Sequence, residues 1–569
     1  MRRIVFTALL AALTACAQNA TNGHGTPMWT TVTDERLRNA ASDPGWLMYL
    51  RTYDGQGHSP LAQITTANVS KLHVVFTHSV SIPEGYEAPP IVNGRTMIVT
   101  TPMDRMYALD AVTGKKLWEF DHDQDIPKVA LRTVCCDMVN RGVALYGNNA
   151  YMATLDNHVI AVDARNGKVV WDKTMNPPGV GYAMTGAPLA VHGKIIIGDG
   201  GGEYGSRGVI FALDAKTGNE VWRFYTVPSR NEPGGNTWPN DTYLHGGADP
   251  WVTGSYDVQT NTLLWGTGNP SPWLWLQHPG QNLYSDSLVA LDPDTGKLKW
   301  YFQETPNDPW DYDAAATWVQ ADVPIKGVTR KIVYEFSRNG WLYVLDRTNG
   351  DLIYMRRYVT ATSVLGYDRA HHIGIVDEAL KPRIGQAIFT CPAFFGGNNW
   401  WSFTYDPQLH YAITPGMRTC MTLAGQQPPK AFNAGAFQTN EAFKVMPDPK
   451  AYGFGALQAY DLTTGKRVWH YETKMPWTDG TLSTDGGLVF SGTPDQKFYA
   501  FDAKTGKVLW VFHARSGFVG QPMSYEVDGK QYIAVQSGYG GVAPFWGQAK
   551  VAPMFKHIPL GGTLYVFSL

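Results

Sequence analysis

Residues 108–118 read ALDAVTGKKLW, and the same grammar returns six more times along the chain. The further copies are AVDARNGKVVW (161–171), ALDAKTGNEVW (212–222), ALDPDTGKLKW (290–300), VLDRTNGDLIY (344–354), AYDLTTGKRVW (459–469) and AFDAKTGKVLW (500–510). Each joins alternating apolar residues to an Asp, a Gly-containing turn and an aromatic eight positions after that Asp. Period-two alternation around a D-x-x-T-G turn or a near relative specifies a β-hairpin and excludes a helix. Constant internal spacing at variable separation marks a repeated structural unit.

One such sheet exposes two edges and cannot bury both faces. A ring of radially packed sheets leaves short edges and buries the aromatics between blades. The expected fold is therefore all-β, a β-propeller. The interval from Asp346 to Asp461 is about twice the usual separation and contains FTYDPQLHYAI around Asp406, a weaker hairpin that suggests eight blades. The terminal GGTLYVFSL (561–569) reads as a strand, and RTYDGQGHSPL (51–61) is expected to share its blade and close the ring.

A chain of 569 residues would ordinarily suggest roughly four domains, but the repeats favour one propeller over 18–569. A net charge of −2 gives no sign of a nucleic-acid partner. The opening MRRIVFTALLAALTAC reads as an export signal over 1–17. LTAC (13–16) fits lipidation at Cys16, while Ala15-Cys16-Ala17 also fits ordinary cleavage; with lipid, Ala17 points to the outer membrane. The expected location is the periplasm, with membrane attachment only through Cys16.

Beyond Cys16 there remain Cys135, Cys136, Cys391 and Cys420, an even set suited to an oxidising compartment. The adjacent Cys135 and Cys136 either pair with Cys391 and Cys420 or with each other, and arithmetic alone favours the long-range pairing. No C-x-x-C-H occurs, so the chain attaches no c-type haem, and no C-x-x-C zinc pattern occurs.

Activity must come from the loops, because propellers host scaffolds and enzymes alike. Four segments stand out: VCCDMVNRG (134–142), GDGGGEYGSRG (198–208), WGTGNPSPW (265–273) and NDPWDYD (307–313). Glu203, Asn269, Asp311 and Asp313 offer only hard oxygen donors, with Gly201 and Gly202 letting the backbone approach beside Glu203. That donor set suits calcium or a larger ion, not zinc. Each member alone reads as a turn residue; only the combination argues for a site.

These segments, together with SRNGWLYVLDR (337–347), resemble the pyrroloquinoline quinone (PQQ) dependent alcohol dehydrogenases of the methanol and ethanol dehydrogenase type, across nearly the whole chain. The resemblance implies that Cys135 and Cys136 form a vicinal disulfide against one face of the quinone, and that Cys391 and Cys420 form the second bridge. Trp251 would stack on the opposite face. Arg141, Thr185 and Glu87 would contact the cofactor edge, with Gly201 and Gly202 beside them. Asn399 and Trp400 would complete the pocket, and Trp273 would line the substrate side. Arg338 would bond the quinone oxygens, and Asp311 would be the general base.

Asp313 bears on the metal. By the resemblance, calcium-using members carry a small or uncharged residue there and lanthanide-using members an Asp. Strand-like spacing would put Asp311 and Asp313 on one side. The expectation is a lanthanide, with Ca2+ as the alternative. Two departures from the family pattern stand out: Trp477 is displaced by one position, leaving its contact with PQQ in doubt, and Asp249 stands where relatives often have a hydroxyl or small residue.

The expected function is oxidation of a small primary alcohol, with electrons passed to a separate cytochrome c. Two alternatives are a calcium quinoprotein acting on another alcohol or polyol, and a non-catalytic scaffold lipoprotein of outer-membrane assembly. A membrane glucose dehydrogenase lacks support without a multi-span anchor. Oligomeric state is not legible; a homodimer is compatible with the sequence.

Overall fold

A computed structural model describes residues 25–122, 134, 136, 138–176, 181–430, 432–540 and 555–569. Eight antiparallel four-stranded blades occupy residues 91–121, 144–174, 189–225, 255–303, 319–357, 404–473, 482–513 and 523–568, the last completed by His73–Val80. We number them 1 to 8 in that order. Two further strands, Val364–Asp368 and Ile373–Val376, extend blade 4, and His58–Ser59 adds to blade 7. Among the described residues no helix is long and apolar enough to cross a membrane.

The repeated motif forms the third and fourth strands of blades 1 to 7. At blade 1, Asp110 Oδ1 accepts from the backbone N–H groups of Val112 (3.0 Å) and Thr113 (2.8 Å), and Gly114 takes φ +71, where a Cβ would be strained. In all seven hairpins the register slips one residue before the aromatic, as at Ala108–Trp118 followed by Leu109–Lys116. This bulge turns the aromatic toward the next blade. There Trp118 Nε1 donates to Ala164 O (2.9 Å), and its ring lies against Gly167 so closely that a Cβ on that glycine would sit 2.9 Å from it. Trp171 meets Gly218 and Trp469 meets Gly506 in the same way. Asp, Gly and aromatic are thus one device: the Asp and Gly make the turn, and the Gly leaves room for the neighbour's ring.

The ring closes differently from the sequence expectation. Gly561–Ser568 pairs with His73–Val80, not with residues 51–61, from which His58–Ser59 instead pairs in parallel with Leu482–Thr484 of blade 7. Phe76 on the closing strand takes the aromatic's place, packing on Gly114 of blade 1. Nor is FTYDPQLHYAI a blade of its own. It supplies the first two strands of blade 6, whose outer hairpin is the copy at Asp461. The count of eight stands because the eighth blade joins both ends of the chain, where the motif is lost.

The chain leaves the ring twice, in the crossover before blade 6 and between the two halves of that blade, and the two excursions form a three-stranded sheet of Ala387–Thr390, Thr419–Gly425 and Glu441–Pro447. Cys391 and Cys420 at its base are bonded to each other.

Candidate active site

Antiparallel strands put the connection between strands two and three of a blade, and the crossover to the next blade, on the same rim. The repeated turns lie on the opposite rim. Every segment singled out for chemistry belongs to the first set, as do both departures that build the three-stranded sheet. They enclose a cavity of about 370 Å³ lined by Arg141, Thr185, Gly201, Gly202, Glu203, Trp251, Asn269, Trp273, Asp311, Asp313, Arg338, Asn399 and Trp400. Glu87 lies behind this lining and reaches it through Arg141, its Oε2 lying 2.7 Å from Arg141 Nη2. Cys136 lines the cavity and is disulfide-bonded. Since Cys391 and Cys420 are taken by each other, the long-range pairing favoured by arithmetic is excluded for Cys136. Cys135, and with it the vicinal pairing, lies outside the described residues, as do residues 541–550 of GYGGVAPFWGQAK (538–550), a segment the sequence offers as a cap on the pocket.

Arg338 organises the floor. Its Nη1 donates to Asp311 Oδ1 (2.9 Å) and to the Asp311 carbonyl (3.1 Å); its Nη2 donates to Asn399 Oδ1 (2.9 Å) and lies 2.9 Å from Asp313 Oδ2. Asp313 is also held by Trp251 Nε1 (2.9 Å) and by the backbone N–H of Asn269 (2.6 Å). The segment carrying both aspartates is irregular rather than strand-like, correcting the spacing argument. Asp311 sits at φ +62, and the loop is clamped by Asp308, whose two oxygens accept from Trp310 N–H (2.8 Å) and Tyr312 N–H (2.6 Å). Trp310 and Tyr312 anchor outward, to Leu380 O (2.9 Å) and Pro392 O (2.6 Å), leaving Asp311 and Asp313 to face the cavity.

Burial dominates the electrostatics. It pushes the Asp311 carboxyl well above the usual range, against the pull of Arg338, with Asp313 and Glu203 adding repulsion. Glu203 is raised by burial and then by Asp313. Asp249, bonded by Ser206 Oγ (2.7 Å), is raised by burial and by Glu203 and Asp313. Burial lifts Glu87 to about 7 although Arg141 opposes it. Burial disfavours charge on Arg338, but the surrounding carboxylates prevail and raise it.

The family described as "PQQ: Glucose/ethanol/alcohol dehydrogenase, beta-propeller domain" matches residues 46–371 and 470–533. The chain belongs to the PQQ-dependent quinoprotein alcohol dehydrogenases. Quinohemoprotein alcohol dehydrogenase ADH IIB of Pseudomonas putida is 40% identical over 538 residues, 90% of this chain and 76% of that protein. Quinoprotein alcohol dehydrogenase PedH of Pseudomonas putida is 38% identical over 542 residues, 90% of this chain and 89% of the relative. A solved structure titled europium-containing methanol dehydrogenase superposes with a TM-score of 0.89 at 33% identity, covering 94% of this chain and 100% of the other. This quinoprotein is therefore an oxidoreductase acting on CH–OH groups, not a bare scaffold.

The residues present suit PQQ. Trp251 offers a flat ring, with the Arg141 and Arg338 guanidinium carbons 4.9 and 5.6 Å from its centroid. Two guanidinia beside a flat ring match a planar polycarboxylate. Arg141 Nη1 donates to Thr185 Oγ1 (2.6 Å), while its buried Nε has no hydrogen-bond partner among the described residues. The oxygen-only set of Glu203, Asn269, Asp311 and Asp313 is short of positive charge and suits a hard cation. Among the described residues, no three carboxylates converge on one point, because Arg338 stands between Asp311 and Asp313.

Trp477 is fully buried away from the cavity, bonded to Ser491 Oγ (2.9 Å) and packed on Tyr499 and Phe501. Asp249, singled out from sequence as a departure from the family pattern, lines the cavity, and so do Tyr204, Phe394, Phe395, Phe437 and Phe443, which were not expected from sequence. Tyr204 lies within the quoted segment 198–208, beside Glu203. The phenylalanines lie in the long interval within blade 6 and the crossover before it, and the interruption of the repeat was their only signal.

Proposed function

We propose that the chain is a periplasmic dehydrogenase of primary alcohols in which Asp311 takes the hydroxyl proton and Arg338 stabilises the charge that develops opposite it. The observation carrying this reading is the fork of Arg338, which holds Asp311 and Asp313 beside the face of Trp251. PQQ, when bound, supplies the two-electron acceptor for hydride from the carbinol carbon, with the metal ion as Lewis acid.

The chain's own residues do the rest. Arg141 and Thr185 would hold the cofactor carboxylates, with Glu87 fixing Arg141 through their ion pair. Trp251 is itself fixed by its bond to Asp313, so the stacking ring and the metal-side carboxylate are positioned together. Glu203, Asn269, Asp311 and Asp313 would hold the ion. Burial raises the affinity of the Asp311 carboxyl for a proton, and a multivalent cation beside it would favour the carboxylate and so make it a base.

The proposed ion is a lanthanide, with Ca2+ second. Supporting this are the carboxylate at 313, which better balances a trivalent ion, and the likeness to the europium-containing enzyme. The proposed acceptor of electrons is a separate cytochrome c. Export is supported by the N-terminal signal pattern and by the Cys391–Cys420 bridge.

The test is dye-linked alcohol oxidation after reconstitution with PQQ and lanthanum, calcium or no metal. Asp311→Ala is expected to abolish turnover with both ions, and Asp313→Ala to cost far more activity with lanthanum than with calcium. Equal losses at Asp313 would remove the lanthanide assignment, and no activity with any ion would remove the dehydrogenase reading.

A further inference from the structure

The cavity has two unlike walls. One carries the carboxylates and guanidinia. The other is made of Tyr204, Trp273, Phe394, Phe395, Phe437 and Phe443, whose rings pack in two clusters. Phe394 lies 3.9 Å from Phe395, 4.6 Å from Phe443 and 5.6 Å from Trp273 between centroids, and Tyr204 lies 5.5 Å from Phe437. Trp273 spends its one polar atom on Glu203 Oε1 (3.1 Å), joining the two walls at a carboxylate. Phe437 is 53% exposed, which puts it at the mouth. Its loop is tied to the Glu203 turn by Gln438 N–H to Glu203 O (2.7 Å) and Gly435 N–H to Tyr204 O (2.9 Å).

We infer that this aromatic wall selects the substrate, and that the preferred alcohol carries an apolar tail the size of a phenyl ring, as in a phenylalkanol. The inference rests on the dehydrogenase reading above and narrows the small alcohol expected from sequence. An alcohol whose carbinol reaches Asp311 would lay its remainder along these rings, which line the same cavity. Methanol or ethanol leaves the rings untouched. A polyol turns its extra hydroxyls toward carbon, at a cost on the order of 100-fold in kcat/KM for each hydroxyl without a partner. A phenyl ring instead gains edge-to-face contacts and removes apolar surface from water. The tie between the Phe437 loop and Glu203 places this selection beside the proposed metal ligand.

The experiment compares 3-phenylpropan-1-ol, ethanol and glycerol in two ways. Turnover of the holoenzyme gives kcat/KM for each; titration calorimetry on holoenzyme held reduced, where no turnover occurs, gives equilibrium binding. Phenylpropanol is expected to bind on the order of tenfold more tightly than ethanol and to lead in kcat/KM, with glycerol last. Phe443→Ala, and the half-exposed Phe437→Ala should Phe443→Ala fold poorly, are expected to reduce the phenylpropanol-to-ethanol ratio of kcat/KM on the order of tenfold. Equal or better turnover of ethanol or glycerol, or a variant that lowers all three alike, would overturn the inference while leaving a dehydrogenase. Tight phenylpropanol binding without turnover of any alcohol would keep the wall and sink the dehydrogenase reading; no phenylpropanol binding would sink the wall.

Discussion

Asp308 does not line the cavity, yet the geometry makes it the residue on which the position of Asp311, the proposed base, depends. Its two carboxylate oxygens hold the N–H groups on either side of Asp311, which itself occupies the left-handed backbone region. Asp308→Ala leaves two buried donors without partners, at about 1–3 kcal/mol each, so a loss of about 2–6 kcal/mol of unfolding free energy is expected. Asp308→Asn has the same shape but presents an NH2 to one of the two donors, and is expected to lose about half as much. The outward anchors of Trp310 and Tyr312 remain in either variant, so the loop shifts rather than dissolves. A displacement of about 1 Å in a positioned base lowers kcat on the order of 100-fold. Denaturant unfolding followed by tryptophan fluorescence, together with dye-linked kcat and KM, measures both effects. The effect on kcat should exceed that on KM, because the perturbed atoms are those of the base and not the aromatic wall. Wild-type kcat and stability in Asp308→Asn would refute the clamp.

Two further outcomes are expected. Gly506→Ala forces a Cβ into a φ of +71 and to 2.6 Å from the Trp469 ring, so a loss of about 2–4 kcal/mol in unfolding free energy is predicted, and a change under about 0.5 kcal/mol would argue against the aromatic-on-glycine lock. Asp104 accepts from Asn140 Nδ2 (2.9 Å) and Leu155 N–H (2.7 Å) behind the Arg141 loop, and burial raises it to about 7, with Asp156 adding and His122 opposing. Because the folded protein holds this proton more tightly than the unfolded chain, stability present below about pH 4 falls as pH rises toward 7, by about 4 kcal/mol in the limit. Asp104→Asn should flatten that slope in unfolding measurements from pH 5 to 8; an unchanged slope would place the pH dependence elsewhere.

The propeller was legible because one physical task recurs. Every blade needs the same turn and the same inter-blade lock, so Asp, Gly and aromatic return at fixed spacing on the rim away from the cavity. Where a different part does the job, the pattern is silent: Phe76 replaces the motif's aromatic on the closing strand, and the closure was assigned to the wrong N-terminal segment.

On the other rim no task recurs, so periodicity carries no information, and Glu203, Asp311 and Arg338 were found by residue chemistry and by resemblance. Sequence alone thus determined the all-β ring, reached eight blades through a hairpin that belongs to blade 6, and singled out the oxygen donors and the arginine that line the cavity. Only the tertiary structure decided which residues share the cavity. It set Glu87 behind Arg141, kept Trp477 in a blade core, made Asp308 the clamp on the Asp311 loop and brought Phe394 and Phe443 against Trp273 and Phe437 against Tyr204. The reason is separation along the chain: contacts such as Trp273 with Phe443 join residues far apart in sequence, and ring closure, not local propensity, brings them together.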